Sequence, residues 1–235
     1  PIVKFNAAGY YAVSLTATNA NGSNTKTISN LIKAGGYQAP FLEEFEANSV
    51  TLGDWTVGNS DNSTTWAIAA TAGNGTSTRS VYMNNYNYTT TGQRDNLYSP
   101  ILNLEGLSTA SLKYKHAYTR YTAYPSDSLI IYVSNNCGDT WTKIASYGES
   151  GTGNFATAPN TTYASGSNFV PNTASDWCGA GVGASCDSIN LTAYAGDDDV
   201  RLVFQAYNNY SNNLYLDDIN VSVSASTTLS ASFTS

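Results

Sequence analysis

Charge is what this sequence has least of. Asp, Glu, Lys and Arg make up 11% of its 235 residues, and 10 bases face 17 acids for a formal net charge of −7. That balance argues against nucleic acid, whose binding rests on Lys and Arg neutralising phosphates. No basic cluster exceeds two residues, as at Lys113 and Lys115, and an anionic membrane surface is disfavoured for the same reason. Long apolar runs are missing too. Leu129 to Val133 is among the longest, far short of the roughly 20 residues that span a bilayer. Histidine occurs once, at His116, and cysteine three times, at Cys137, Cys178 and Cys186. A cysteine nucleophile needs a base and an orienting partner, and a zinc site needs closely spaced ligand pairs. Neither pattern is present, so no catalytic residue is assigned and the chain is read as a non-enzyme. The start at Pro1 carries no charged segment followed by an apolar one, so no signal peptide is expected, and the chain reads as a mature or excised piece of a longer parent.

Strong helix formers are also sparse. The polarity, with a mean hydropathy of −0.26, comes from uncharged Asn, Ser, Thr and Gly and from 18 tyrosines. Thr, Val, Tyr and Ile suit pleated strands, and Asn, Gly and Ser suit the turns between them. The expectation is an all-β, extracellular chain.

Tyr10 to Thr18 alternates Tyr11, Val13, Leu15 and Ala17 with smaller or polar residues, the period of a half-buried strand. Asn19 to Gly22 is a turn, and Ser23 to Ile28 alternates again as the returning arm. The series Gly9, Tyr11, Val13, Leu15, Ala17, Asn19 and Gly22 resembles the last strands of a polycystic-kidney-disease (PKD) repeat, a small Ig-like sandwich. The resemblance implies that residues 1–35 are the C-terminal part of such a domain, with Ala34-Gly35-Gly36 as linker.

Residues 36–225 read as many short strands, the clearest being Ser80 to Met83, Ser111 to Tyr118, Ser128 to Ser134, Trp141 to Ser146, Val200 to Tyr207 and Asn213 to Val223. Such a pattern without helical period predicts a jelly-roll β-sandwich. Ser150 to Ser185 is Gly-, Ala- and Asn-rich and reads as an elaborated loop. Residues 226–235 read as a linker or tail. The ordered set FLEEFE, DWTV, DNLYSPILNL, SLIIYVSNNCGDTW, VRLVFQAYNN and NNLYLDDINV resembles the cleaved-adhesin, or MAM-like, jelly-roll modules of large secreted Bacteroidetes proteins. In those proteins the modules sit beside PKD repeats, peptidases and adhesins.

Several constellations bear on function. VSNNCGDTW places Ser134, Asn136, Gly138, Thr140 and Trp141 in a spacing that resembles the Asp-box hairpin, which implies a turn tied by its own side chains and an incidental Cys137. Cys178 and Cys186 flank a Gly/Ala segment. A disulfide between them would contribute about 2–3 kcal/mol in the chain-entropy model and fits an oxidising compartment; free buried thiols are the alternative. Glu44 and Glu46 are two residues apart on one strand, and Asp217 and Asp218 lie near the end of the last strand. The cleaved-adhesin resemblance implies a structural Ca²⁺ held there by Glu44, Glu46, Asp217 and Asp218; the alternative is solvated surface charge. Tyr86, Tyr88, Tyr121, Tyr124, Tyr207 and Tyr210 are interleaved with Asn, Ser and Thr. Exposed tyrosine stacks on sugar rings while amides bond hydroxyls, so these are candidate ligand contacts, against a purely structural reading. Ser128 and Ser188, each in an Asp-Ser-aliphatic triplet, resemble Bacteroidetes O-glycosylation acceptors.

The functional expectation is a non-catalytic accessory or adhesion module of a secreted or cell-surface bacterial protein. It would bind an extracellular glycan or protein surface beside the other domains of its parent chain. The alternatives are a calcium-stabilised carbohydrate-binding module and a structural spacer.

Overall fold

The computed structural model describes residues 3, 5, 9–73, 77–121, 127–148, 155–157, 167–179 and 185–225. Within them the strands are β1 (Gly9–Asn19), β2 (Gly22–Ala34), β3 (Tyr37–Gln38), β4 (Phe41–Glu43), β5 (Thr56–Asn59), β6 (Ala67–Ala69), β7 (Ser80–Met83), β8 (Arg94–Tyr98), β9 (Leu102–Asn103), β10 (Leu107–Tyr118), β11 (Ser128–Ser134), β12 (Thr142–Gly148), β13 (Ser188–Asn190), β14 (Arg201–Tyr207) and β15 (Leu214–Ala225).

One sheet runs β13-β10-β15-β7-β6 with β4 paired to β15; the other runs β12-β11-β14-β8-β5. Their facing sides make the core. In β14 the inward residues Leu202, Phe204 and Ala206 are buried, as are Leu129, Ile131 and Val133 in β11 and Leu112 and Tyr114 in β10. Alternation in these strands is thus the alternation of core and outer face. The expected jelly-roll sandwich is what the chain forms.

The outer side of the first sheet is partly covered. Phe169 and Trp177 pack with Ala117 and Tyr215 into a second, small core, which is why the last residues of β10 are buried on both faces. The disulfide Cys178–Cys186 and the bond from Cys178 N–H to the His116 carbonyl (2.9 Å) fix this segment to the sheet. Within the expected loop Ser150 to Ser185, Phe155, Thr157, Phe169, Pro171, Asp176, Trp177 and Cys178 are buried while most of the other described residues are exposed; Ser150 itself lies outside the described residues.

The hairpin β1–β2 stands apart from both sheets and pairs from Gly9↔Ala34 to Asn19↔Gly22. Its second arm runs on to Ala34, six residues past the expected Ile28. Lys33 joins it to the sandwich through an ion pair with Asp54, with Tyr37 donating to the same carboxylate.

Two expectations about the acids need correcting. β4 ends at Glu43, and Phe45 takes a left-handed conformation (φ 55°). Glu44 and Glu46 therefore do not share a strand face. Asp217 and Asp218 lie in the first half of β15 and not near its end. There the pairing with β10 shifts register between Lys113 and Lys115, and Asp218 has φ 49°, the signature of a β-bulge.

Candidate functional site

Three segments converge at the sandwich end that holds the β7–β8 and β14–β15 connections. Tyr86 follows β7, Tyr121 follows β10, and Tyr210 precedes β15. The Tyr86 and Tyr121 ring centroids lie 6.2 Å apart and those of Tyr121 and Tyr210 6.5 Å apart. All three are half-buried. Tyr124 lies outside the described residues. Tyr88 does not join them: it is buried, and its hydroxyl donates to Asp61 at 2.7 Å, so it offers no ring face to a ligand.

Several asparagine side chains around this cluster bond the backbone. Asn208 donates to the Tyr88 and Thr90 carbonyls, and Asn213 to the Phe169 carbonyl. The buried Asp127 carboxylate accepts from Asn209 and Asn212 N–H. These bonds knit the β14–β15 connection.

A second arrangement lies on the outer face of the five-stranded sheet. Asn96, Tyr98, Tyr132, Trp141, Val203 and Gln205 line a groove of about 210 Å³. The ladder sets it: Tyr98 pairs with Val203, Val203 with Tyr132, and Asn96 with Gln205, so these side chains emerge from one face in adjacent rows. Trp141, at the end of the β11–β12 hairpin, reaches over the sheet to place its ring 5.8 Å from that of Tyr98. Gly58 permits this. A Cβ there would lie 2.9 Å from Tyr98 Cε2, so any side chain on β5 at that point would displace the ring. A polar chain then crosses the face. Arg94 donates to Gln205 Oε1 (2.7 Å), Gln205 Nε2 to Asn96 Oδ1 (2.9 Å), and Asn96 Nδ2 to the Tyr98 hydroxyl (3.0 Å). Tyr207 belongs here and not with the loop tyrosines, with the Arg94 guanidinium 4.7 Å above its ring.

The hairpin that carries Trp141 is tied as its spacing implies. Gly138 N–H donates to Ser134 Oγ (3.0 Å), Thr140 N–H to Asn136 Oδ1 (3.0 Å), and Asn136 Nδ2 to Thr140 Oγ1 (2.8 Å). Asp199 adds an anchor by accepting from the N–H and thiol of Cys137, and Asp197 accepts from Asn135 Nδ2. The contact to Asp199 pushes the Cys137 thiol up to about 11, so it stays protonated and is a poor nucleophile. His116 is remote in role as well: it is buried, stacked on Phe155 at 5.0 Å, bonded to the Phe155 carbonyl, and lowered to about 4 by burial.

The four acids named from the sequence split. Glu46 is held by Thr78 N–H and hydroxyl and Arg79 N–H. Asp217 is buried, accepts from Gly73 and Asp218 N–H, and is raised to about 7 by burial, with Asp218 and Glu44 adding negative charge. Lys115 lies beside them, its ammonium 3.7 Å from Asp218 and donating to the Gly73 carbonyl. Glu44, Asp217 and Asp218 thus bring negative charge to one place, and no group of three or more His, Cys, Asp or Glu residues among those described is placed to hold a metal ion by itself. Glu43, unmarked in the sequence, is the buried acid of β4. It accepts from Phe45 N–H, Ser49, Thr51 and the Trp55 indole. Of the two glycosylation candidates, Ser188 is exposed on the edge strand β13, whereas Ser128 is half-buried in β11 between two paired strands.

No family model matches the chain, and no curated protein does. Solved structures define the class: the chain has the β-sandwich fold of cleaved adhesin domains. The K1 cleaved adhesin domain of Lys-gingipain from Porphyromonas gingivalis aligns over 79% of this chain and 98% of its own, with a TM-score of 0.52 and 14% identity. The K3 domain of the same protein aligns over 77% and 98%, with a TM-score of 0.51 and 17% identity. A carbohydrate-binding module solved with β-1,4-galactotriose covers 81% of the chain and 100% of its own, at a TM-score of 0.45 and 9% identity.

Proposed function

We propose that this chain is a non-catalytic adhesion or accessory module of a secreted or cell-surface bacterial protein, and that its ligand is a glycan. The observation that carries the reading is the outer-face groove, with the Trp141–Tyr98 ring pair standing over the half-exposed amides of Asn96 and Gln205. Aromatic faces take the apolar side of a pyranose, and amides take its hydroxyls. A volume of about 210 Å³ is below the roughly 300–1,000 Å³ of clefts for drug-sized ligands, which suits one sugar ring of a longer chain. The Tyr86–Tyr121–Tyr210 cluster is a second contact surface at the end of the sandwich. The neutral Cys137 thiol and the buried, neutral His116 support a role without catalysis.

A structural Ca²⁺ beside Glu44, Asp217 and Asp218 belongs to the same reading, with backbone carbonyls completing a shell that these carboxylates do not form by themselves. It would supply the positive charge that the buried Asp217 otherwise lacks. Glu46 supports it indirectly by fastening Thr78 and Arg79. The PKD-like reading of residues 1–35 places the module after an Ig-like domain of its parent.

The test of function is a glycan panel probed with the purified chain and with Trp141→Ala. Binding by the parent chain, with a loss of about tenfold or more in the variant, equivalent to roughly 1.4 kcal/mol, is expected. Silence across the panel would leave the spacer reading.

A further inference from the structure

The chain as a whole is acidic, yet the five-stranded sheet is not. Among its strands β5, β8, β11, β12 and β14 the one carboxylate is Asp95, and it is buried on the inner side. The outer face instead carries Arg94, Arg201 and Lys143. The ion pairs Lys33–Asp54 and Lys115–Asp218 involve none of the three. Each arginine lies over a tyrosine ring and donates to neutral groups. Arg94 stands over Tyr207 and donates to Gln205. Arg201 stands over Tyr98, 5.0 Å from its centroid, and donates to the Ser99 carbonyl and Thr56 hydroxyl. Asp199, the carboxylate whose charge acts on Arg201, is itself engaged by Cys137. The two arginines begin about 20 Å apart along the ladder, at roughly 3.4 Å per residue, and lean toward the groove from opposite ends.

We infer that the groove takes an acidic polysaccharide of the uronate type, with one sugar ring at Trp141 and Tyr98 and carboxylates of the same strand meeting Arg94 and Arg201. This rests on the glycan reading of the groove and names its ligand class. The charge of the face decides against a neutral chain, because guanidinium groups held on ring faces, with no ion pair of their own, gain most from an anion. Carboxylate meets guanidinium in a planar, two-pronged match, and the sulfated polymer in the test separates it from oxyanions that share that geometry. Ionic strength weakens such contacts.

The test uses polygalacturonate and the same polymer with its carboxylates reduced, titrated against the chain by calorimetry at low and at physiological salt. The expected result is at least about tenfold tighter binding of the acidic polymer at low salt, narrowing as salt rises. Arg94→Gln is expected to cut the preference severalfold while leaving the melting midpoint unchanged. Arg201→Gln is expected to cut it too, and Arg201→Lys to retain part of it, which separates loss of charge from loss of fold. Equal binding of the two polymers, or an undiminished preference in Arg94→Gln, would overturn the acidic assignment while leaving the groove a glycan site. A stronger response to dextran sulfate than to polygalacturonate would overturn the carboxylate. Failure of both polymers together with silence on the glycan panel would remove the glycan reading itself.

Discussion

In the hairpin β1–β2, Leu15 is 74% exposed, Leu31 53% and Ile28 45%, whereas Leu112, Leu129 and Leu202 in the sandwich are fully buried. Both regions are written in the same two-residue alternation. What separates them is a second layer. The sandwich strands face another sheet across a shared core, and the hairpin has two edges and no facing sheet in the described residues. Alternation states which side of a strand is apolar; it does not state that anything lies against that side. The contrast therefore predicts where substitutions will be felt.

The largest effect belongs to the core. Phe204→Ala removes a fully buried ring that packs against Trp55 and Tyr114 and is expected to cost about 3–5 kcal/mol. Leu15→Ala, at the exposed face of β1, is expected to fall within about 0.5 kcal/mol of the parent chain. Urea unfolding measures both. A Leu15→Ala cost near that of Phe204→Ala would mean that the hairpin is packed in solution, and the contrast would collapse.

How far these differences could be read in advance depends on how local their causes are. The bounds of β7 and β11 match the alternation because each strand carries its own pattern between turn residues. The Ser134–Asn136–Gly138–Thr140 ties were legible for the same reason: every partner lies within six residues. The Cys178–Cys186 bridge was legible as one of the alternatives. The local setting of the acids was less legible, because the bulge in β15 depends on β10, and because β4 ends at Glu43, which alternation buries on the same side as Phe41 while Glu44 and Glu46 fall beyond the strand. The groove was not legible at all. Tyr98, Trp141 and Gln205 come from separate strands, and only the ladder register puts them on one face. The fold was thus in the local pattern, while the site is a product of pairing.

Burial of charge sharpens the contrast next. Asp217 in β15 is raised to about 7. A carboxyl whose folded pKa exceeds its unfolded value, near 3.9, is favoured protonated. Its contribution is fully present below the unfolded value and is lost as pH rises through about 7. Without calcium, the parent chain is expected to gain about 2–3 kcal/mol over Asp217→Asn between pH 8 and pH 5, at about 1.4 kcal/mol per unit. Added Ca²⁺ at pH 8 is expected to raise the melting midpoint of the parent chain and not that of Asp217→Asn, and a chelator to reverse the gain. A midpoint indifferent to both calcium and chelator would remove the ion from the site. Leu15→Ala is expected to leave the pH profile unchanged, since the groups that titrate belong to the sandwich.

The two tied turns give the finest version of the comparison. In the sandwich, Asn136 accepts from Thr140 N–H and donates to Thr140 Oγ1, and the hairpin it ties carries Trp141 onto the sheet. In β1–β2, Asn19 accepts from Asn21 N–H at 2.8 Å, and nothing described rests on that turn. Each bond is of the class worth about 1 kcal/mol. Asn136→Ala is expected to lower global stability by about that amount and to weaken glycan binding through Trp141. Asn19→Ala loosens its own turn, so urea midpoint and binding are both expected to stay put while amide exchange rises only around Asn21. A binding defect in Asn19→Ala, or none in Asn136→Ala, would show that the turn does not position the ring.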